Sequence, residues 1–249
     1  MKPFPVPIVI GGVREPMAAL DKVKIIENHE PLVDLRIACP LVIFPSDAGT
    51  PDGMQPYLRK TAATMLDQAS RRLPEGLQLF ALSAWRSFER QKSLWQQHYD
   101  LHKKIHPDWP EASLRRAANQ YAAPCDHYAP PGHCTGAAID VVLQTTDGQF
   151  VDILPDCGKD TAGIHQQQRI FENLSLSDVT KWKLGATWAT HLSPEMREYR
   201  TILIKAMYGV GFSNCRDEYW HFSYGDSGWA VRVGKKECPY GRAEVPKSK

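Results

Sequence analysis

Five side chains of this 249-residue chain have types and spacings suited to hydrolytic chemistry. His133 and Asp140 lie seven positions apart in "PPGHCTGAAIDVVL", Glu218 and His221 three apart in "DEYWHFSYGD", and Arg86 sits in "SAWRSFERQ". His133, Asp140 and His221 would offer two nitrogens and one oxygen to a metal. Catalytic zinc commonly takes three protein ligands and keeps one position for water, whose pKa it brings toward about 7. One Zn2+ per chain is therefore the expectation. Glu218 would be the general base that takes the proton of that water. Arg86 would stabilise the oxyanion of a tetrahedral intermediate.

Each piece also has a plainer reading. His133 and Asp140 alone fit a turn histidine followed by a strand acid paired with an arginine. A carboxylate buried in "AAIDVVL" needs a strong partner in either case. Glu-x-x-His is a weak signal by itself. On a regular strand Glu218 and His221 point to opposite faces, so they can meet only if the chain turns just before the strand. "SNCRD" supplies turn residues. Arg86 alone fits a surface arginine.

The elements that must carry these residues read as a mixture. The first fifty residues are proline-rich with extended runs such as "LVDLRIACPLVIF". Leu58, Ala62, Met65, Leu66, Ala69 and Leu73 predict a helix near 55–73, stopped by "PEG". "LQLFALSAW" predicts a strand that ends at Arg86. Ser87 then caps a helix over "FERQKSLWQQHYDLHKKI", with Glu89 in its first turn. Asp108 and Pro110 open a short helix through Tyr121. "AAIDVVL" is the next strand, with Ala138, Asp140 and Val142 on one face, and His133 reaches back to it from a loop that Gly132 makes flexible. The segment 155–192 reads as loop with one or two short helices. Ser193 caps a helix that Gly209 stops, and "EYWHFSYG" closes as a strand. The expectation is an α+β fold: one domain over 1–249, with helices packed on a small, mainly antiparallel sheet that carries the zinc site. An N-terminal extended segment (1–50) packs on it, and 80–230 is the catalytic core.

Composition narrows the function. Thirty Lys and Arg against 28 Asp and Glu leave a formal charge of +2, which does not suit an electrostatic nucleic-acid binder. No apolar run is long enough for a membrane span, and the N-terminus lacks the apolar core of a signal peptide. A cytoplasmic location is expected, or a periplasmic one if a signal has been removed. Six cysteines without a Cys-x-x-Cys pair predict buried or free thiols. His98, His102 and His106 form an i, i+4, i+8 stripe that reads as a solvated helix face. Cys134, next to His133 on an extended chain, is a poor nucleophile candidate because the two side chains point apart.

"GHCTGAAID" resembles the HxxGxAxD signature of the zinc D-alanyl-D-alanine peptidases, "EYWH" their ExWH signature, and "WRSFERQ" their arginine motif. The likeness spans roughly 80–230. "WHFSYGD" with the following "WA" is similar to the VanX-like dipeptidases in particular, the VanY-like carboxypeptidases being the sister group. The resemblance implies hydrolysis of D-Ala-D-Ala. It assigns His133, Asp140 and His221 as zinc ligands, Glu218 as base and Arg86 as transition-state stabiliser. The substrate is a small D-amino-acid dipeptide or a peptidoglycan-derived peptide. A non-catalytic cell-wall-binding module is the remaining alternative. Two positions depart from the pattern. Pro131 stands where the family often has a substrate-holding serine. "VDILPDCGKD" replaces a stretch whose last acid meets the substrate's amino group, with Asp156 or Asp160 as possible substitutes.

Overall fold

A computed structural model of the protein describes residues 6–45, 55–151, 185–190 and 192–245. Asp156, Asp160 and most of the 155–192 segment lie outside the described residues. The N-terminal stretch holds α1 (Met17–Leu20), β1 (Lys24–Ile25), β2 (Leu32–Asp34) and α2 (Leu35–Ala38). Next come β3 (Tyr57–Arg59), α3 (Lys60–Ser70), β4 (Leu77–Ser83), α4 (Phe88–Ile105), α5 (Glu111–Ala118), α6 (Gly132–Thr135) and β5 (Ala138–Thr145). The last described elements are α7 (Pro194–Tyr208), β6 (Ser213–Asn214), β7 (His221–Ser223), α8 (Ser227–Arg232) and β8 (Glu237–Cys238).

Four strands, in the order β4-β5-β7-β6, form an antiparallel sheet. β2 pairs antiparallel with β3, and β1 pairs parallel with β8. The fold is thus the expected mixture of helices and small, mainly antiparallel sheets. α3 is amphipathic, and its buried Ala62, Met65, Leu66 and Ala69 meet Leu79 and Ala81 of β4, Ile139, Val141 and Leu143 of β5, and Leu203 and Met207 of α7 in one core. Phe80 points to the other side of the sheet, where it meets Phe150 edge-on.

Local signals set several boundaries. Ser87 caps α4 by accepting from the Arg90 N–H (3.1 Å), and Ser193 caps α7 by accepting from Met196 (3.1 Å). Several boundaries differ from expectation. The helix expected from residue 55 begins at Lys60, because Tyr57–Arg59 pairs with Leu32–Asp34 instead. Leu58 fits an apolar period in either state, and the long-range partner decided it. "LVDLRIA" is not extended throughout, since Asp34 accepts from the Arg36 N–H and caps α2. The closing strand is only His221–Ser223, as residues 219–220 form a turn.

The histidine stripe on α4 is not a solvated face. His98 and His102 are buried against Tyr121, with ring centroids at 4.7 and 5.5 Å. Only His106 lies beyond this contact, stacked on Trp109. α5 folds back onto α4 and supplies the cover that periodicity alone does not reveal. Five cysteines, Cys39, Cys125, Cys134, Cys215 and Cys238, are free thiols.

Candidate active site

Strand register builds the centre of the site. Asp140 on β5 lies directly opposite His221 on β7 and pairs across its other edge with Ser83 of β4. The two side chains meet at 2.9 Å, His221 Nδ1 to Asp140 Oδ1. His133 arrives from α6, and its Nε2 lies 3.3 Å from Asp140 Oδ2. Its Nδ1 donates to the Ala84 carbonyl at 2.8 Å, which fixes the tautomer and leaves Nε2 with a lone pair that could bind a metal. The Arg86 N–H donates in turn to the His133 carbonyl (3.2 Å). Ligand atoms of His133, Asp140 and His221 all lie within 4.8 Å of one another, a donor set that could hold a metal ion.

Gly132 does not act through flexibility. A Cβ there would sit 2.6 Å from Asp226 Oδ2 and 3.2 Å from the Ala138 Cβ, so the position requires close approach. Gly136 closes α6 at φ 69°, and a Cβ there would collide with a Leu32 methyl. Cys134 is buried with its Sγ 3.9 Å from the Ser87 carbonyl, and its thiol is pushed up to about 12 by burial. A thiol so disfavoured as thiolate is no nucleophile.

Glu218 joins the cluster through the turn. The His221 N–H donates to the Glu218 carbonyl (3.1 Å), which brings Glu218 Oε2 within 4.0 Å of His221 Nδ1. Asn214, which the sequence reading did not single out, holds that turn. Its Nδ2 donates to the carbonyls of Glu218, Tyr219 and His221 at 3.2, 3.0 and 3.0 Å. An Asn inside "FSNCRD" is a turn signal in sequence, but one amide serving three carbonyls is visible only in the fold.

Arg86 is held at the edge of the same cleft. Its Nη1 donates to Gln91 Oε1 (2.8 Å) and its Nη2 to Ser83 Oγ (3.1 Å). Gln91 is itself anchored to the Ala123 carbonyl at 2.9 Å. Arg86, Glu218, His133, Asp140 and His221 all line one cleft of about 910 Å³. It runs past Arg86 to His98 and Tyr121, and residues 13–20 wall part of it.

The electrostatics separate the acids. Burial alone would raise Asp140, but the charges and hydrogen bonds of His133 and His221 outweigh it and hold the carboxyl well below the usual range. Burial also opposes charge on His221, yet Asp140 overcomes it and lifts the imidazole to about 9. His133 is lowered, because desolvation exceeds what Asp140 restores. Glu218 is raised by burial to about 7, against the charge of His221 and with help from Asp140 and Glu15, although 30% of its side-chain surface opens on the cleft. A firmly ionised acid beside one poised near neutrality is an arrangement that suits a ligand next to a proton acceptor.

The family model "VanY: D-alanyl-D-alanine carboxypeptidase" matches residues 52–178. No curated protein matches the chain. Three solved structures show remote likeness. VanYB in complex with D-Alanine-D-Alanine is 15% identical, with 74% of this chain and 81% of that one covered and a TM-score of 0.34. A point mutant of the vancomycin resistance D,D-pentapeptidase VanY, from a VanB-type resistance cassette and in complex with Zn(II), is 14% identical, covering 87% and 96%, at 0.33. The D,D-dipeptidase VanXYg in complex with a D-Ala-D-Ala phosphinate analog is 18% identical, covering 91% and 73%, at 0.30.

Proposed function

The chain belongs to the VanY D-alanyl-D-alanine carboxypeptidase family, and on that premise we propose that it is a zinc peptidase that hydrolyses the bond between two D-alanines, with the free dipeptide as its substrate. The observation that carries this reading is the convergence of His133, Asp140 and His221 beside Glu218 and Arg86 in one cleft. Two imidazoles and a carboxylate form a donor set that suits Zn2+. When bound there, the ion supplies Lewis-acid polarisation of the scissile carbonyl and acidifies water.

The chain's own residues do the rest. Strand register sets Asp140 opposite His221, and the Ala84 carbonyl orients His133. Glu218 takes a proton from the attacking water and passes it to the leaving amine, work suited to a carboxylate lifted toward neutrality. Arg86, held by Ser83 and Gln91, directs its guanidinium charge at the developing oxyanion. Preference for the free dipeptide draws on the likeness of "WHFSYGD…WA" to the dipeptidases. A second reading, removal of the terminal D-alanine from longer stem peptides, is supported by the cleft's extension past Arg86 to His98 and Tyr121.

The test is D-alanine release from D-Ala-D-Ala by purified protein, with and without a chelator. Zinc-dependent release is expected. Release only from acylated tripeptides moves the protein to the carboxypeptidase reading. No release from either, with zinc supplied, leaves a cell-wall-binding module.

A further inference from the structure

Residues 13–20 wall the cleft without building the core. Val13, Met17 and Leu20 line the cleft. Yet no residue of α1 is buried and, among the described residues, none of these three belongs to or packs on a hydrophobic cluster. Core burial, the usual reason for a segment to settle in one place, therefore does not account for this one. The segment also precedes residues 52–178, so the family match assigns it no role.

Polar anchors at its two ends hold it instead. Glu15 Oε2 pairs with Arg232 Nη1 at 2.6 Å, and Arg232 is buried and fixed in turn by Ser213 Oγ at 2.8 Å. Glu15 reaches α8 over Gly228, where a Cβ would sit 2.8 Å from its Oε2. At the other end Asp21 Oδ2 accepts from His127 Nδ1 (2.8 Å) and its Oδ1 from the Ala129 N–H (3.0 Å). Ala129 lies two positions before Pro131, on the stretch that leads into α6 and His133. β1 follows at once and pairs with β8. A short stretch fixed at both ends has few conformations left, and lifting it would break a charge pair whose arginine is buried. After burial and Asp140, Glu15 also adds to the upward push on Glu218, so the segment runs beside the proposed base. Past Arg86 the cleft continues to His98 and Tyr121, whereas at 13–20 it meets this pinned wall.

We propose that residues 13–21 form a specificity strap. Pinned at Glu15 and Asp21, with Val13, Met17 and Leu20 as the side chains it sets against the cleft, it stops a substrate from extending past the D-Ala-D-Ala pair on one side. This rests on the D-Ala-D-Ala peptidase reading and names what limits the length of its substrates. A peptide that ends at the strap fits beneath it. One with a further residue on that side must displace an anchor, a penalty that the shorter peptide does not meet.

The test measures kcat/KM of the zinc-loaded full chain for cleavage of the D-Ala–D-Ala bond in four peptides. These are D-Ala-D-Ala and diacetyl-L-Lys-D-Ala-D-Ala, each with and without a C-terminal glycine. Comparison across the set reads extension on the amino side and on the carboxyl side separately. The wild type should disfavour extension on at least one side by about tenfold or more. The double variant Met17→Ala, Leu20→Ala, which trims the wall, should recover at least about fivefold of that loss, and the side on which it recovers is the side the strap closes. Asp21→Ala, which frees one anchor and removes no cleft-lining side chain, should move the same ratio in the same direction. Each ratio compares two substrates on one sample, so it does not depend on how much of a variant folds. Equal use of extended and unextended peptides by the wild type overturns the proposal and leaves the peptidase reading standing. So does a loss that neither variant relieves. No turnover of any of the four overturns both.

Discussion

Glu218 and His221 lie three positions apart, and the proposed reading gives them different roles. A base is not a ligand, so Glu218→Ala should retain one zinc per chain while kcat falls by about 10²–10⁴. His221→Ala should instead lose the metal, because it removes one of three donors and leaves Asp140 without its 2.9 Å partner. Metal analysis after dialysis, run beside the dipeptide assay, decides this. Metal loss in the Glu218 variant would mean that the carboxylate coordinates. Arg86 is less replaceable than its charge suggests. Ser83 and Gln91 each take one terminal nitrogen, and a lysine cannot reproduce that fork.

The turn that carries Glu218 depends on an amide from the neighbouring strand β6. Asn214→Ala would take a donor from the carbonyls of Glu218, Tyr219 and His221, of which Glu218 and His221 keep the N–H groups of His221 and Cys215. A stability loss of about 1–3 kcal/mol is expected in urea unfolding. Dipeptide turnover should fall about tenfold or more as Glu218 loses its place. An unchanged rate would show that the turn holds without the amide. The α4–α5 pair makes a pH prediction. His102 is 1% exposed, and neither ring nitrogen has a partner among the described residues. Burial lowers its pKa from the ordinary value, with the charge of His106 as a smaller cause. The folded state therefore holds the ring neutral, while the unfolded chain takes up a proton near pH 6.5. The stability tied to this group is present above about pH 6.5 and is lost as pH falls below it. His102→Leu should shrink the drop in Tm between about pH 7.5 and 5.5 relative to the wild type. An undiminished drop would place the acid sensitivity elsewhere.

The three candidate donors come from α6, β5 and β7 and meet only when the sheet is formed, so a metal held by them would couple to folding. An ion that binds the folded state alone stabilises it by about 2.7 kcal/mol at a hundredfold excess over Kd, equivalent to roughly 5–10 °C in Tm for a chain of this size. Calorimetry with zinc and with chelator should show that shift, and His221→Ala should abolish it. A wild-type Tm indifferent to zinc would mean that the cluster does not close on the ion. Among the described residues no helix is long and apolar enough to cross a membrane.

The residues that converge on the cleft could each be named from the sequence, because chemistry restricts which side chains can bind metal, move a proton or meet an oxyanion. The caps at Ser87 and Ser193 and the apolar period of α3 were readable as well, since each is decided within a few positions of chain. Other features were decided at long range. Leu58 fits a helix or a strand until Val33 pairs with it. His98 and His102 read as solvated until α5 covers them. Glu218 reads as pointing away from His221 until Asn214 holds the turn. Local sequence carries propensity and chemical type, whereas register, cover and the sharing of one amide among three carbonyls are properties of partners brought together from distant positions. The wall that Glu15 adds to the cleft is of this second kind, since Arg232, 217 positions away, holds it there.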